Sequence, residues 1–573
     1  MKATAKAVVL ALVALFLAGC SNIPESTLPK VIRESPQNQA PVVSDPSPGL
    51  NPYGLVGEFV TKTGYADAAR SYLTPEFADT WDGGGETIIE NEPKTTPPSL
   101  PEGNQANEQV VILSGKQVGR LDAGRTFFAQ VQPVEIRFKL TRNAEGQWRI
   151  SDGPRNAVIT RDGFTNSYRR VDLQFFDPNQ RVLVPDPRFV PTEPRDGLEG
   201  RVVQLLLDGP SDSLRGAVRS QLDGLELRTN VVPEPDGAIR VNFGQMDKSA
   251  EDRKKVALQV VTTLYEVTTS TIRLDNQDRP LVAGQRDWNR GDFNAYENLT
   301  TPKPDLLGLS VTAGRVYSLR DGKPIDGPAG AGAYEVQSAA QSMDGTALAV
   351  VQRTPTGQVR LRVGTPEALP EVPGTDSGTL TRPTWLLSAG DDSPPSEVWT
   401  VKDGTFVLRV GRTPQNTWEV FSVDATELLR GGGTITQLRL SRDGVRVAAV
   451  VNGEVRIGTV VRTNDSVAIR SPLTLQGGTV SNVLGLDWID RENIVVATGN
   501  PAMPVASLPI DGSTVTRYNT ANLTLPVKAI AASPNRSTLV VDSLGLWMTP
   551  EASSTWLPHG HNQPPGSLPF YPG

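Results

Sequence analysis

A multidomain protein is predicted, with two small α+β domains followed by an all-β, propeller-like domain. Three observations predict it. Glycine and proline are frequent, 53 and 47 of 573 residues, which favours turns and short strands over long helices. Apolar residues recur at helical spacing up to about Thr300 and alternate with polar ones beyond it. Finally, a short motif recurs at intervals of 43–50 residues towards the end of the chain, the length of a four-stranded propeller blade. The net charge of −7 leaves no footprint for nucleic acid. A single cysteine excludes an intramolecular disulfide and a cysteine-based metal cluster, and no cofactor is expected.

Residues 1–19 have the anatomy of a secretory signal: Lys2 and Lys6 make a positive start, and Ala7 to Phe16 is an apolar run. That run is too short for a bilayer span of about 20 helical residues. Leu17-Ala18-Gly19-Cys20 follows and resembles the bacterial lipobox, whose small residues fit the signal peptidase and whose cysteine takes a diacylglyceryl group. The chain's only cysteine stands where a lipobox needs it, so Cys20 is the expected lipidation site. The alternative is an ordinary cleaved signal with a coincidental cysteine. Acyl chains contribute about 0.8 kcal/mol per buried methylene, and several of them anchor a protein firmly. Residues 20–53, rich in Pro, Ser, Asn and Gln, read as a disordered tether.

A first α+β domain is expected over residues 54–190. Leu55, Val56, Phe59 and Val60, continued by Ala69, Tyr72 and Leu73, recur at helical spacing. Thr74-Pro75-Glu76 reads as an N-cap, an N1 proline and an acidic first turn. After Glu108 the period becomes two, with Val134, Ile136, Phe138 and Leu140 on one strand. Asn143 to Gly146 turns the chain, Trp148 and Ile150 return, and Val171, Leu173 and Phe175 form another strand. A second domain is expected over residues 191–300. Leu198, Val202, Leu205 and Leu206 line a helix ended by Gly209-Pro210. A strand at 225–232 meets the Pro235-Asp236-Gly237 turn, and Ile239, Val241 and Phe243 return. Ser249 and Asp252 cap a helix with Val256, Val260, Leu264 and Val267 inward, and a strand follows near 270–274. Leu207-Asp208-Gly209-Pro210, Val241-Asn242-Phe243 and Val261-Thr262-Thr263-Leu264 resemble the GerMN module of spore germination proteins. That likeness implies an interaction domain without an assigned catalytic residue.

Residues 301–573 read as a propeller of five or six blades. Ser342-Met343-Asp344-Gly345 and Ser441-Arg442-Asp443-Gly444 precede similar apolar strands. Asp487-Trp488-Ile489-Asp490 and Ser533-Pro534-Asn535 are degenerate copies, and Thr384-Trp385 begins a fifth. Blades bury their faces against neighbours, so the array must close on itself. The Asp-Gly step suits a tight hairpin turn, with Ser capping it; the competing reading is a calcium or ligand contact.

Other candidates for chemistry are few. His559 and His561 are the only histidines and could chelate a metal, but they read as part of a solvated Gly/Pro-rich tail. Asp391, Asp392 and Asp376 could form a calcium or carboxylate cluster, or simply lie in solvated loops. Trp385, Trp399, Trp418, Trp488 and Trp547 read as blade core, or as a sugar or peptide platform. No Gly-x-Ser-x-Gly elbow, His-Glu-x-x-His or Walker loop occurs. The expectation is a binding protein rather than an enzyme.

The order of lipobox, tether, α+β domain, GerMN-like domain and propeller resembles the LpqB lipoproteins of actinobacteria, along essentially the whole chain. Its local markers are Gln147-Trp148-Arg149-Ile150, Phe175-Phe176-Asp177-Pro178 and Leu183-Val184-Pro185-Asp186-Pro187-Arg188-Phe189. The resemblance implies a membrane-anchored, extracytoplasmic accessory of an MtrA–MtrB-type two-component system, contacting the extracytoplasmic domain of the kinase in cell-envelope homeostasis and division. Of the functional residues, it carries over Cys20 alone. Two other readings stand beside it: an envelope module gripping a cell-wall glycan or peptide, and a cryptic propeller hydrolase.

Overall fold

The computed structural model describes residues 45–62, 69–81, 85–98, 107–293, 296, 298–388, 393–561 and 563–573. Leu17, Ala18, Gly19 and Cys20, and Asp391 and Asp392, lie outside the described residues.

In the first domain, helices α1 (Pro52–Lys62) and α2 (Pro75–Thr80) pack on a six-stranded sheet. Its strands are β1 (Glu86–Ile89), β2 (Lys94–Thr96), β3 (Glu108–Leu121), β4 (Phe127–Arg142), β5 (Trp148–Asp152) and β6 (Ala157–Thr160). Thr74 caps α2 as its sequence predicts: its hydroxyl accepts from the Phe77 amide at 3.3 Å. Phe59 stands at the centre of the core, its ring 6.0–6.2 Å from those of Tyr72, Trp81 and Phe138. A short helix α3 (Arg161–Ser167) leads out of the sheet.

Next comes a two-stranded hairpin, β7 (Tyr168–Phe176) and β8 (Leu183–Pro191). Here the structure differs from the expected domain limit near 190. Val171, Leu173, Phe175 and Val184 enter one apolar cluster with Val202, Leu206, Val256 and Val260 of the second domain. The hairpin forms one outer layer of that domain. Helices α4 (Leu198–Leu207) and α5 (Ala250–Leu264) lie against it. A five-stranded sheet is built around the parallel pair β10 (Ile239–Phe243) and β11 (Ile272–Asn276), with β9 (Val232–Pro233), β12 (Arg279–Pro280) and β13 (Asp287–Trp288) at its margins. Because α5 contacts both the hairpin and the sheet, it is buried nearly all round, including Gln259 and Thr263. These two polar side chains are satisfied locally: Thr263 accepts from the Gln174 amide at 3.0 Å and Gln259 from the Gln221 amide at 2.8 Å. Ser249 caps α5 through the Asp252 amide, 3.1 Å away. The expected strand over 225–232 is reduced to β9 and one Leu227–Phe243 bridge, while Val267 falls beyond the end of α5.

The rest of the chain forms six small antiparallel sheets among the described residues. The first combines Leu309–Thr312 and Arg315–Ser318 with Leu568–Phe570 from the far end of the segment. The second spans 335–364, and the next four are four-stranded, over 384–423, 435–474, 483–517 and 529–558. Their inner strands contact one another in a closed cycle, 568–570 touching both 335–341 and 529–531. This is a six-bladed ring. The motif repeats mark blades 2 to 6; blade 1 carries no copy because its strands come from both ends of the segment. Both Ser-x-Asp-Gly copies are hairpin turns, with Gly345 and Gly444 at φ of +80° and +73° and each Ser hydroxyl donating to its Asp at 2.5 Å. Trp385 and Trp488 stitch neighbouring blades together: their Nε1 atoms donate to the carbonyls of Ala340 at 3.0 Å and Arg439 at 3.2 Å. Along with Trp399 they are fully buried, so they are core and not a binding platform.

At the ring's centre Asp487 is surrounded by three arginines. Its carboxylate accepts from Arg382 at 3.0 Å and from Arg439 at 3.4 Å, and Arg442 donates to the Trp488 carbonyl at 3.1 Å. Burial opposes ionisation of Asp487, but the three cations more than offset it and hold its pKa below the usual range. Burial, reinforced by Arg382, lowers Arg439 to about 9. Removing one partner of a buried charge cluster typically costs about 3–5 kcal/mol. Asp487→Ala is therefore predicted to lower the unfolding free energy by about that amount, and Asp487→Asn by less. Denaturant titration of both variants checks this; unchanged midpoints would contradict it.

A candidate binding cleft at the junction of the three domains

The hairpin β7–β8 brings the three domains together. Asp177 shapes its turn, its carboxylate accepting from the amides of Asn179, Arg181 and Val182 at 2.6–3.0 Å. The turn end and β8 then lie on blades 3, 4 and 5. Arg446 donates to the Pro185 carbonyl at 2.6 Å, Arg491 to the Leu183 carbonyl at 3.3 Å, and Arg181 to the Ser388 carbonyl. The blade-4 copy of the repeated turn is thus covered, and Arg442, Asp443, Val445 and Arg446 are all buried. Val445 joins the apolar core of the second domain.

On the first-domain side the junction is aromatic. The Phe164 ring lies 5.0 Å from Phe189 and 6.0 Å from Phe127, and Phe127 lies 5.7 Å from Phe189. Gly119 makes room for this: a Cβ there would stand 2.4 Å from the Phe127 ring. Beside the cluster, the buried Glu86 carboxylate accepts from the Tyr168 hydroxyl at 2.6 Å and from Arg125 at 2.5 Å. Burial raises its pKa despite both donors, and burial together with Glu86 raises that of Tyr168.

On the blade-5 side the junction is ionic. Arg170 of β7 meets Asp172 at 2.5 Å, Asp511 at 2.7 Å and Glu492 at 3.2 Å. Three carboxylates around one guanidinium, out of water, cannot all ionise cheaply. Asp172 yields: burial first, then the charge of Glu492, push its pKa up to about 9, against the pull of Arg170. Burial and Glu492 also raise Glu266 nearby. Asp186 of β8 pairs with the buried Arg188 at 2.7 Å and accepts from the Ser211 amide at 2.7 Å.

Two cavities open along this junction, both lined by Phe127. One of about 420 Å³ lies between the aromatic cluster and blade 5, with Tyr168, Arg170, Asn493 and Thr516 in its walls. The other, of about 300 Å³, runs between Asp122, Asp186, Ser211, Arg446 and Asp511. Neither lining includes a histidine. His559 and His561 follow the edge strand of blade 6, their rings 6.3 Å apart; His561 is exposed, as expected, and His559 is half-buried, which lowers its pKa. Among the described residues no group of three or more His, Cys, Asp or Glu is placed to hold a metal. Asp376 pairs with Arg360 at 2.8 Å. The cleft residues were missed as a site in the sequence, although two of the family-like markers, 175–178 and 183–189, lie in the hairpin that builds it.

The sign of the pH dependence follows from Asp172. Between its ordinary value near 3.8 and about 9, the folded protein holds a proton that the unfolded chain releases. Stability therefore falls as pH rises through that window and levels off above it. Melting temperatures measured from pH 5 to 9 are expected to decline for the native protein and to decline less for Asp172→Asn, which mimics the protonated acid. Equal slopes would remove Asp172 as the cause.

Three family descriptions match successive parts of the chain: the LpqB lipoprotein N-terminal domain at residues 45–165, a sporulation and spore germination domain at 172–281, and the LpqB lipoprotein β-propeller domain at 314–572. Lipoprotein LpqB of Rhodococcus opacus (strain B4) is 32% identical, covering 90% of this chain and 89% of that protein. That of Rhodococcus jostii (strain RHA1) is 31% identical over 92% and 90%. The Mycolicibacterium smegmatis protein is 28% identical over the full length of both. With this similarity extending across all three domains, the chain belongs to the LpqB family of lipoproteins.

Proposed function

We propose that this protein is a lipid-anchored, extracytoplasmic binding protein that regulates a sensor kinase of the MtrB type, and that it works by contact rather than catalysis. The observation that carries this reading is the junction: a hairpin buried between two domains, tied to the propeller by Arg170, Arg446 and Arg491. Such a junction presents the surfaces of three domains in one fixed arrangement, as a docking partner for another folded domain must. The family match along the chain and the Leu17-Ala18-Gly19-Cys20 sequence support the placement. No helix among the described residues is long and apolar enough to cross a membrane, so a lipid on Cys20 is the attachment this reading requires. Two proteins held on one membrane meet at high effective concentration, so a weak contact suffices for regulation.

Two outcomes are expected. Cys20→Ala moves the protein from the membrane fraction to the soluble fraction and removes fatty-acid labelling; retention with lipid would contradict the anchor. The full-length lipoprotein, reconstituted in vesicles with the kinase, binds the kinase's extracytoplasmic domain saturably and changes its autophosphorylation rate. Absence of association at tens of micromolar would overturn the regulatory role.

A further inference from the structure

The smaller cavity holds two opposite charges that have no ion-pair partner in contact among the described residues: Asp443 and Asp186 act on Arg446 only at longer range, and burial outweighs them. Arg446 forms part of its wall and is only 5% exposed. One of its guanidinium nitrogens donates to the Pro185 carbonyl, and another, Nη1, has no acceptor. Two other arginines at this junction, the half-buried Arg170 and the buried Arg188, each have a carboxylate at 2.7 Å, Asp511 and Asp186; among the described residues Arg446 has no carboxylate in ion-pair contact. A buried cation without a partner is costly. In the same wall stands Asp122, whose carboxylate accepts from the Thr126 amide at 2.7 Å and likewise forms no ion pair among the described residues. The same lining includes the apolar side chains of Phe127, Phe128, Ile457 and Leu473.

We propose that this cleft binds a small zwitterionic ligand of the amino-acid or short-peptide class. Its carboxylate pairs with Arg446, its ammonium group with Asp122, and its apolar side chain lies against Phe127 and Leu473. The charge pattern selects this class. A phosphate or a simple carboxylate would pair with Arg446 but leave Asp122, beside Asp186, Asp212 and Asp511 in the lining, without a counter-charge. A plain amine would meet the Arg446 cation. A ligand carrying both signs supplies a counter-charge to each group. The volume of about 300 Å³ is at the lower end for ligand pockets and suits one to three residues. Because the walls come from all three domains, occupancy tightens the junction that orients them.

The test uses full-length protein in detergent and a panel of free apolar amino acids and di- and tripeptides. The panel also holds their N-acetylated and C-amidated derivatives, together with acetate and methylamine. Free zwitterions are expected to raise the melting temperature and to bind calorimetrically, with each blocked derivative at least tenfold weaker. Arg446→Gln is expected to abolish binding. Since that change also alters a domain contact, Asp122→Asn is the decisive variant: it keeps the acceptor for Thr126 and is expected to weaken free ligands tenfold or more while leaving the N-acetylated ones unchanged. The proposal is overturned if no panel member binds at millimolar concentration, if blocked and free ligands bind equally, or if Asp122→Asn binds free ligands like the native protein.

Discussion

The structure depends on a hairpin with no solvent face. Strand β7 alternates as a half-buried strand should, with Val171, Leu173 and Phe175 set in the core of the second domain. Arg170, Asp172 and Gln174 alternate with them and would face water in an ordinary antiparallel sheet. Here they face protein, and Asp172 and Gln174 are buried. Charges taken out of water persist only when paired or neutralised. The pairing of Arg170 with residues of blade 5, and the retained proton on Asp172, are the two forms this takes. The same constraint ties the domains together, since Arg170, Arg446 and Arg491 each bond across the hairpin–propeller boundary.

The propeller obeys a related rule at its axis. Six small sheets cannot each bury both faces unless the ring closes, and closure comes from Leu568–Phe570 pairing with Leu309–Thr312. The converging inner strands then enclose Asp487 with Arg382, Arg439 and Arg442. An apolar axis would pack as stably; the charged one links residues of blades 3, 4 and 5, as Arg382, Arg439 and Asp487 do. The tryptophan bonds from one inner strand to the next have the same effect with neutral groups.

Much of this was legible in the sequence because it is local. Caps at Thr74 and Ser249, the Gly209-Pro210 stop and the Asp-Gly turns each depend on a few consecutive residues. The blade period was legible because each blade repeats one supersecondary unit. The 225–232 segment was misjudged because apolar alternation there is not matched by a long partner edge; β10 spends its other edge on β11. The inward face of α5 was drawn too narrowly, since a stripe pattern cannot tell one packed face from two. The cleft was invisible: Asp122, Arg446 and Asp511 are far apart in the chain, and each alone looks like a surface charge.

The sequence by itself determined the order of modules, the placement of most helices and strands, and the repeat that makes a propeller. These are set by periodicity, turn chemistry and short-range spacing, which act within a few residues. Tertiary structure alone decided that the ring has six blades, since blade 1 exists only once distant ends pair. It also decided that the hairpin belongs to the second core and that three domains share one cleft. Those outcomes rest on which surfaces exclude water from one another, and burial of that kind is a property of the assembled fold and not of any stretch of chain.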